Sequence, residues 1–254
     1  VPLKKLFGDG TLKNDFLEVT TASTATIKQG NESFRFQPPD EKFDQVQVFF
    51  FVNKALDWYK EQLGVNINRK LKVITHFGYP AKENSMFYFD GTVRLGAGDD
   101  DSYSKIPLDP SIVMHEATHA LVEEVAHLSY ENEAGSINEA YADFLSCSVL
   151  KSPLLGDVAY KKGPFKRNLV NNLKLSDKNG AKYHDSGIIS GTFWELRDKI
   201  GEQKALSLSI RALSRLNPQS DFADFKLNLL DSVRSLSAED QAKVEGTLVA
   251  RGWK

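Results

Sequence analysis

A single cysteine, Cys147, stands among the 254 residues, so no disulfide can form within the chain. It lies in the apolar run AYADFLSCSVL, without a cationic neighbour in sequence to lower its pKa, and reads as a small buried hydrophobe. An excess of either charge is also missing: 32 basic residues face 34 acidic ones, for a formal net charge of −2. This balance gives no electrostatic ground for binding nucleic acid or an anionic membrane surface. The longest apolar stretch, around Val46 to Val52, is too short to span a bilayer. Internal repeats and low-complexity tracts are absent. The N-terminus, VPLKKLFGDG, lacks the apolar stretch of a secretory signal and opens on Val1 rather than Met, which gives the expectation of a processed or trimmed product. The hydrophobic content, 41%, suffices for one large core or two modest lobes.

The texture of the chain changes part-way along. Residues 1–40 are rich in Thr, Lys, Asn, Gln and Gly and read as strands and turns, with Gly8-Asp9-Gly10 and Gly30-Asn31 as turn signals and Pro38-Pro39 as a stop. A buried helix is expected from Phe43 to Leu63, capped by Gly64. Residues 69–77 and 86–95 read as strands, the second turning at Asp90-Gly91. From Asp109, an N-cap followed by Pro110, the pattern is helical, with helices expected at 110–127, 136–150, 188–201, 203–215, 221–235 and 238–250. The expected fold is α+β in two lobes: residues 1–128 strand-rich and ending in a helix, residues 129–254 mostly helical.

The chemistry is concentrated in Met114-His115-Glu116-Ala117-Thr118-His119. On a helix, residues four apart lie about 40° from each other, so both imidazoles can face one ion. Glu116 projects from the same region and can reach a metal-bound water as general base. A hydrolytic zinc site takes three protein ligands and keeps one position open. Glu139, twenty residues beyond His119 in a second expected helix, fits as the third. Asp143, one turn on along the same face, is expected to accept a hydrogen bond from the second nitrogen of a ligating histidine. An ordinary helix charge is the alternative. His76 and His127, at the ends of a strand and of a helix, lack ligand spacing and read as structural.

The HEATH run, then Tyr130-Glu131-Asn132-Glu133-Ala134-Gly135-Ser136-Ile137-Asn138-Glu139, then Asp143, resembles the thermolysin-like metallopeptidases. Weaker similarity extends over about 210 residues, from the Phe43–Leu63 helix to the C-terminal helices. The resemblance implies a two-lobed fold with the zinc site between the lobes, His115, His119 and Glu139 as zinc ligands, and Glu116 as general base. It implies Tyr130 as an oxyanion stabiliser and Asn84 with Ser85 on an edge strand that pairs with an extended substrate. Arg167 is matched to the family's substrate-carbonyl arginine, with a solvated surface arginine as the alternative. It further implies an endopeptidase acting on peptides or proteins before an apolar residue, with Ile112 as a wall of that pocket. A monomer, exported to the periplasm or secreted, is expected, with no nucleic-acid or membrane partner.

Three departures bear on these expectations. Where the family has a histidine four residues before the glycine of its S-G-I run, this chain has Tyr183, with His184 one residue later. Either could serve as the second oxyanion donor, and His184 is slightly favoured. Ser111 and Leu150 stand where the family's calcium-binding carboxylates are expected, so calcium is possible but unsupported, and Asp99–Asp101 read as a solvated turn. The helical part looks trimmed. A second functional class, a zinc-binding interaction domain with weak or no hydrolytic activity, would draw on the Tyr183/His184 irregularity. Retention of Glu116 argues against it, since a structural zinc site has no use for a base.

Overall fold

Short runs of alternating apolar residues build the sheet of this α+β fold in the computed structural model, which describes residues 3–28 and 34–254. Strand β1 (Leu17–Thr21) pairs in parallel with β2 (Leu71–Thr75), with Leu17 opposite Leu71 and Thr21 opposite Thr75. The hairpin of β3 (Met86–Phe89) and β4 (Thr92–Leu95) adds beside β2, giving the order β1-β2-β4-β3 and leaving β3 at the edge. Asp90 and Gly91, at φ 46° and 69°, supply the two left-handed residues that a tight hairpin turn wants. Leu17, Val19, Leu71, Val73, Val93 and Leu95 are buried, the period-2 inward face of a half-covered sheet.

Helix α1 (Glu41–Trp58) links β1 to β2, and buries Val48, Phe49, Val52 and Ala55. It runs on as a single π turn, Tyr59–Leu63, before Gly64 at φ 68° ends it. Residues before α1 hold less strand than the sequence led us to expect: β1 is the one strand there among the described residues. Polar side chains take up backbone groups instead. Asn14, for example, accepts from the backbone N–H groups of Phe16 and Leu17. The Gly30-Asn31 signal lies outside the described residues.

The chain divides into two compact units. The first comprises Val1–Trp58, Asn66–Ala120 and Leu154–Lys166; the second comprises Tyr59–Val65, Leu121–Pro153 and Arg167–Lys254. Helix α2 (Pro110–Ala126) begins in the first. The second contains α3 (Asn132–Leu150), α4 (Lys182–Ile200), α5 (Glu202–Leu213), α6 (Phe222–Val233) and α7 (Ala238–Ala250). Helix α3 is buried on every face from Ala134 to Val149, as suits the central helix of a helical layer. Around it Tyr141, Phe144, Phe193 and Phe225 make ring contacts at 5.0–6.5 Å. Trp253 joins this cluster and donates its indole N–H to Thr192 at 3.0 Å.

Candidate metal centre

Helix α2 owes its fixed start to Asp109. Its Oδ1 accepts from Ser111 N, Ser111 Oγ and Ile112 N at 3.0, 2.6 and 3.2 Å, while Oδ2 accepts from the backbone of Val158 and Ala159 at 3.1 and 2.8 Å. Ser111 Oγ in turn accepts from Gly156 N at 2.7 Å. A fully occupied carboxylate thus anchors both the first turn of α2 and the 156–159 loop. Ser111, where a calcium-binding carboxylate was looked for, belongs to this network.

One turn further on, His115, Glu116 and His119 come together. Their candidate ligand atoms all lie within 4.8 Å of one another, and this is the group of metal-type side chains found among the described residues. The two imidazoles meet edge to face with ring centroids 4.8 Å apart, and His119 Nε2 lies 4.0 Å from Glu116 Oε2. All three are buried, at 5%, 4% and 2% exposure. Burying two imidazoles and a carboxylate is costly unless they are paired or hold a metal. Two nitrogen donors with an adjacent carboxylate form a donor set that suits zinc. Ile112 is a core residue on the same helix.

The second unit positions the other candidates. Between α2 and α3 the chain turns through His127 and Asn132, at φ 51° and 53°. Asn138 donates to the Leu128 carbonyl at 3.2 Å and pins the turn to α3. A Cβ on Gly135 would collide with the Tyr130 carbonyl, so only glycine lets Tyr130 lie this close to the helix. Glu139 and Asp143 follow on α3, both buried.

Asp143 has a partner that sequence spacing did not reveal. Arg167 donates to both its oxygens, Nε to Oδ2 and Nη2 to Oδ1, each at 2.7 Å, the parallel fork geometry of the strongest ion pairs. The same guanidinium lies 3.9 Å from Glu139 Oε2 and 5.1 Å from the centre of the Tyr183 ring. Burial works against the charge of Arg167, but Asp143, with Glu139, holds it above its ordinary range. The side chain is 14% exposed, so the solvated alternative for Arg167 is removed.

Tyr183 and His184 occupy the first turn of α4, which starts at Lys182 rather than 188. They point to different partners. Tyr183 covers Arg167, whereas His184 Nδ1 is 3.0 Å from Asp185 Oδ1. Burial opposes ionisation of Asp185, but its bonds from Asn179 N, His184 and Gly180 N outweigh that and hold its carboxyl below the ordinary value. Asn84 and Ser85 stand just before edge strand β3. The Asn84 amide is engaged with Asp99, donating to Oδ2 at 2.8 Å and accepting from Asp99 N at 3.0 Å. The Asp99–Asp101 run is fully engaged: Asp99 Oδ1 caps the backbone of Asp101, Ser102 and Tyr103, Asp100 pairs with Lys82, and Asp101 pairs with Lys162.

Comparison with known proteins supports the same grouping. No family model matches the chain. Bacillolysin of Bacillus amyloliquefaciens is 28% identical over 228 residues, covering 82% of this chain and 44% of that protein. A zinc metalloproteinase of Listeria monocytogenes is 26% identical over 247 residues, covering 88% and 48% respectively. The chain is thus similar in sequence to proteins named as metalloproteinases, at identities below 30%. Its fold is correspondingly that of the precursor of protealysin, a metalloproteinase from Serratia proteamaculans, with a TM-score of 0.80 over 100% of this chain and 91% of that one, at 19% identity. The chain spans about half the length of the two sequence relatives.

Proposed function

We propose that the protein is a zinc-dependent endopeptidase. The observation that carries this reading is the buried convergence of His115, Glu116 and His119. We assign His115, His119 and Glu139 as the residues that would hold zinc, leaving a coordination position open. When bound, zinc supplies Lewis acidity and a lowered pKa for its water. Glu116 takes the proton from the attacking water and hands it to the leaving amine. The Arg167 fork holds Asp143 and stands beside Glu139, orienting the α3 carboxylates and fixing their charge. Tyr130 and Tyr183 donate hydrogen bonds to the developing oxyanion. Tyr183 is preferred over His184 because it covers the guanidinium that reaches Glu139; His184, held at Nδ1 by Asp185, keeps its Nε2 as the alternative donor.

The substrates on this reading are peptides or proteins bound in extended form along β3, the edge strand of the sheet. A preference for an apolar residue after the cut, action as a monomer, and export or secretion follow from the family and are proposed with it. No described helix is long and apolar enough to cross a membrane. The test is digestion of casein by the purified chain, expected to stop with a chelator and return with added zinc. Stoichiometric zinc without any cleavage would favour a zinc-binding interaction domain instead.

A further inference from the structure

Away from the metal centre, one buried carboxylate has half of its accepting capacity open. Asp44, in the first turn of α1, is 1% exposed. Its Oδ2 is 3.0 Å from His76 Nε2. Its Oδ1 is buried and has no hydrogen-bond partner among the described residues. The Lys105 ammonium stands 3.9 Å from it, beyond hydrogen-bond range, and already donates to the Pro38 carbonyl at 2.7 Å. An unsatisfied charged acceptor in the interior is costly, and proteins keep such groups chiefly where something else completes them.

Asp44 and His76 line a pocket of about 230 Å³. Pro39 and Pro80 give it apolar walls, and Glu41 brings a second carboxylate, 3.8 Å from His76 Nδ1 and 41% exposed. Elsewhere in the lining, Lys82 and Asp100 satisfy each other at 2.9 Å. His76 is buried at φ 54°, a left-handed conformation uncommon for a non-glycine residue and frequent at ligand clamps. Its ring turns opposite nitrogens towards Asp44 and Glu41, so the three groups do not converge as metal ligands must. The pocket offers acceptors at depth, a carboxylate higher up and apolar walls between.

We propose that this pocket binds a small primary ammonium ligand, its N–H donating to Asp44 Oδ1 and its alkyl part lying against Pro39 and Pro80. Lys105 then acts as a competing internal cation that the ligand must outbid. The probe is n-butylammonium, titrated into the full chain at constant ionic strength and followed through the His76 ring signals by NMR, assigned with His76→Asn. Saturable binding is expected, and tetramethylammonium, equally charged but without an N–H, should produce none. Asp44→Asn should weaken binding about 10- to 100-fold, the range for a hydrogen bond to a charged group. Should that variant fail to fold, two others carry the test. Glu41→Gln is expected to weaken binding about two- to fivefold, as for a half-exposed ion pair, and Lys105→Met to tighten it. A response to tetramethylammonium equal to that of n-butylammonium, no saturable response to either, or unchanged affinity in both Glu41→Gln and Lys105→Met would overturn the proposal.

Discussion

Replacing Arg167 with methionine keeps the volume of the side chain and removes its fork. Asp143, 1% exposed, would lose two bonds of 2.7 Å, and Glu139 would lose a positive charge at 3.9 Å. Deleting one partner of a buried ion pair costs about 3–5 kcal/mol, because the other charge is left uncompensated. Arg167 keeps 14% side-chain exposure, so some water reaches the pair and the lower end, about 3 kcal/mol, is expected. Arg167→Lys retains the charge but cannot reproduce the fork, and should lose about 1.5 kcal/mol. Pairing the methionine with Asp143→Leu removes both charges together, and should recover half or more of the loss. Urea unfolding of the four proteins, extrapolated to water, reads all of these values. A loss below about 1 kcal/mol for Arg167→Met, or a double variant no more stable than the single one, would refute the view that this pair organises α3.

Further outcomes are open to measurement. Glu116→Gln should keep its metal content while kcat/KM falls about 10²–10⁴-fold, the usual contribution of a general base. Tyr183→Phe should lower kcat about 10²-fold or more, and His184→Asn should leave it within a few-fold; the opposite ranking would return the oxyanion role to His184. Asp109→Ala deprives two segments of their acceptor, and should destabilise the chain by about 3 kcal/mol in the same unfolding assay, combining a lost helix cap with buried N–H groups left open. Asp185 has a depressed folded-state pKa, so its contribution is present above its unfolded value of 3.8 and is lost as pH falls through the lower folded one. The stability gap between wild type and Asp185→Asn should therefore be visible at pH 6 and shrink towards pH 2.

Local signals located the helical half of the fold well where they were strong. Asp109-Pro110 marks the start of α2, with the Asp109 side chain accepting from the first turn, and α7 fills the expected range 238–250, where the structure adds Ser237 as its cap. Helices α3 and α4 begin earlier than expected because neither Glu131 nor Ala181 makes a side-chain cap. The segment before α1 holds less strand than its composition suggests, since its turn residues mark boundaries without a partner strand to pair with. The His115, Glu116 and His119 cluster was legible because helical periodicity alone brings it together. The Arg167–Asp143 fork and the Asp44–His76 pair were not, because they join residues 24 and 32 apart through tertiary packing. For that reason His76 reads in the sequence only as a structural strand end.

Anomalous diffraction at the zinc absorption edge, on crystals of protein purified without added metal, tests the ligand assignment most directly. The expected result is one strong peak about 2.0–2.2 Å from a nitrogen of His115, a nitrogen of His119 and an oxygen of Glu139. A peak bound to the two histidines with Glu139 out of reach, or no peak there at all, would contradict it.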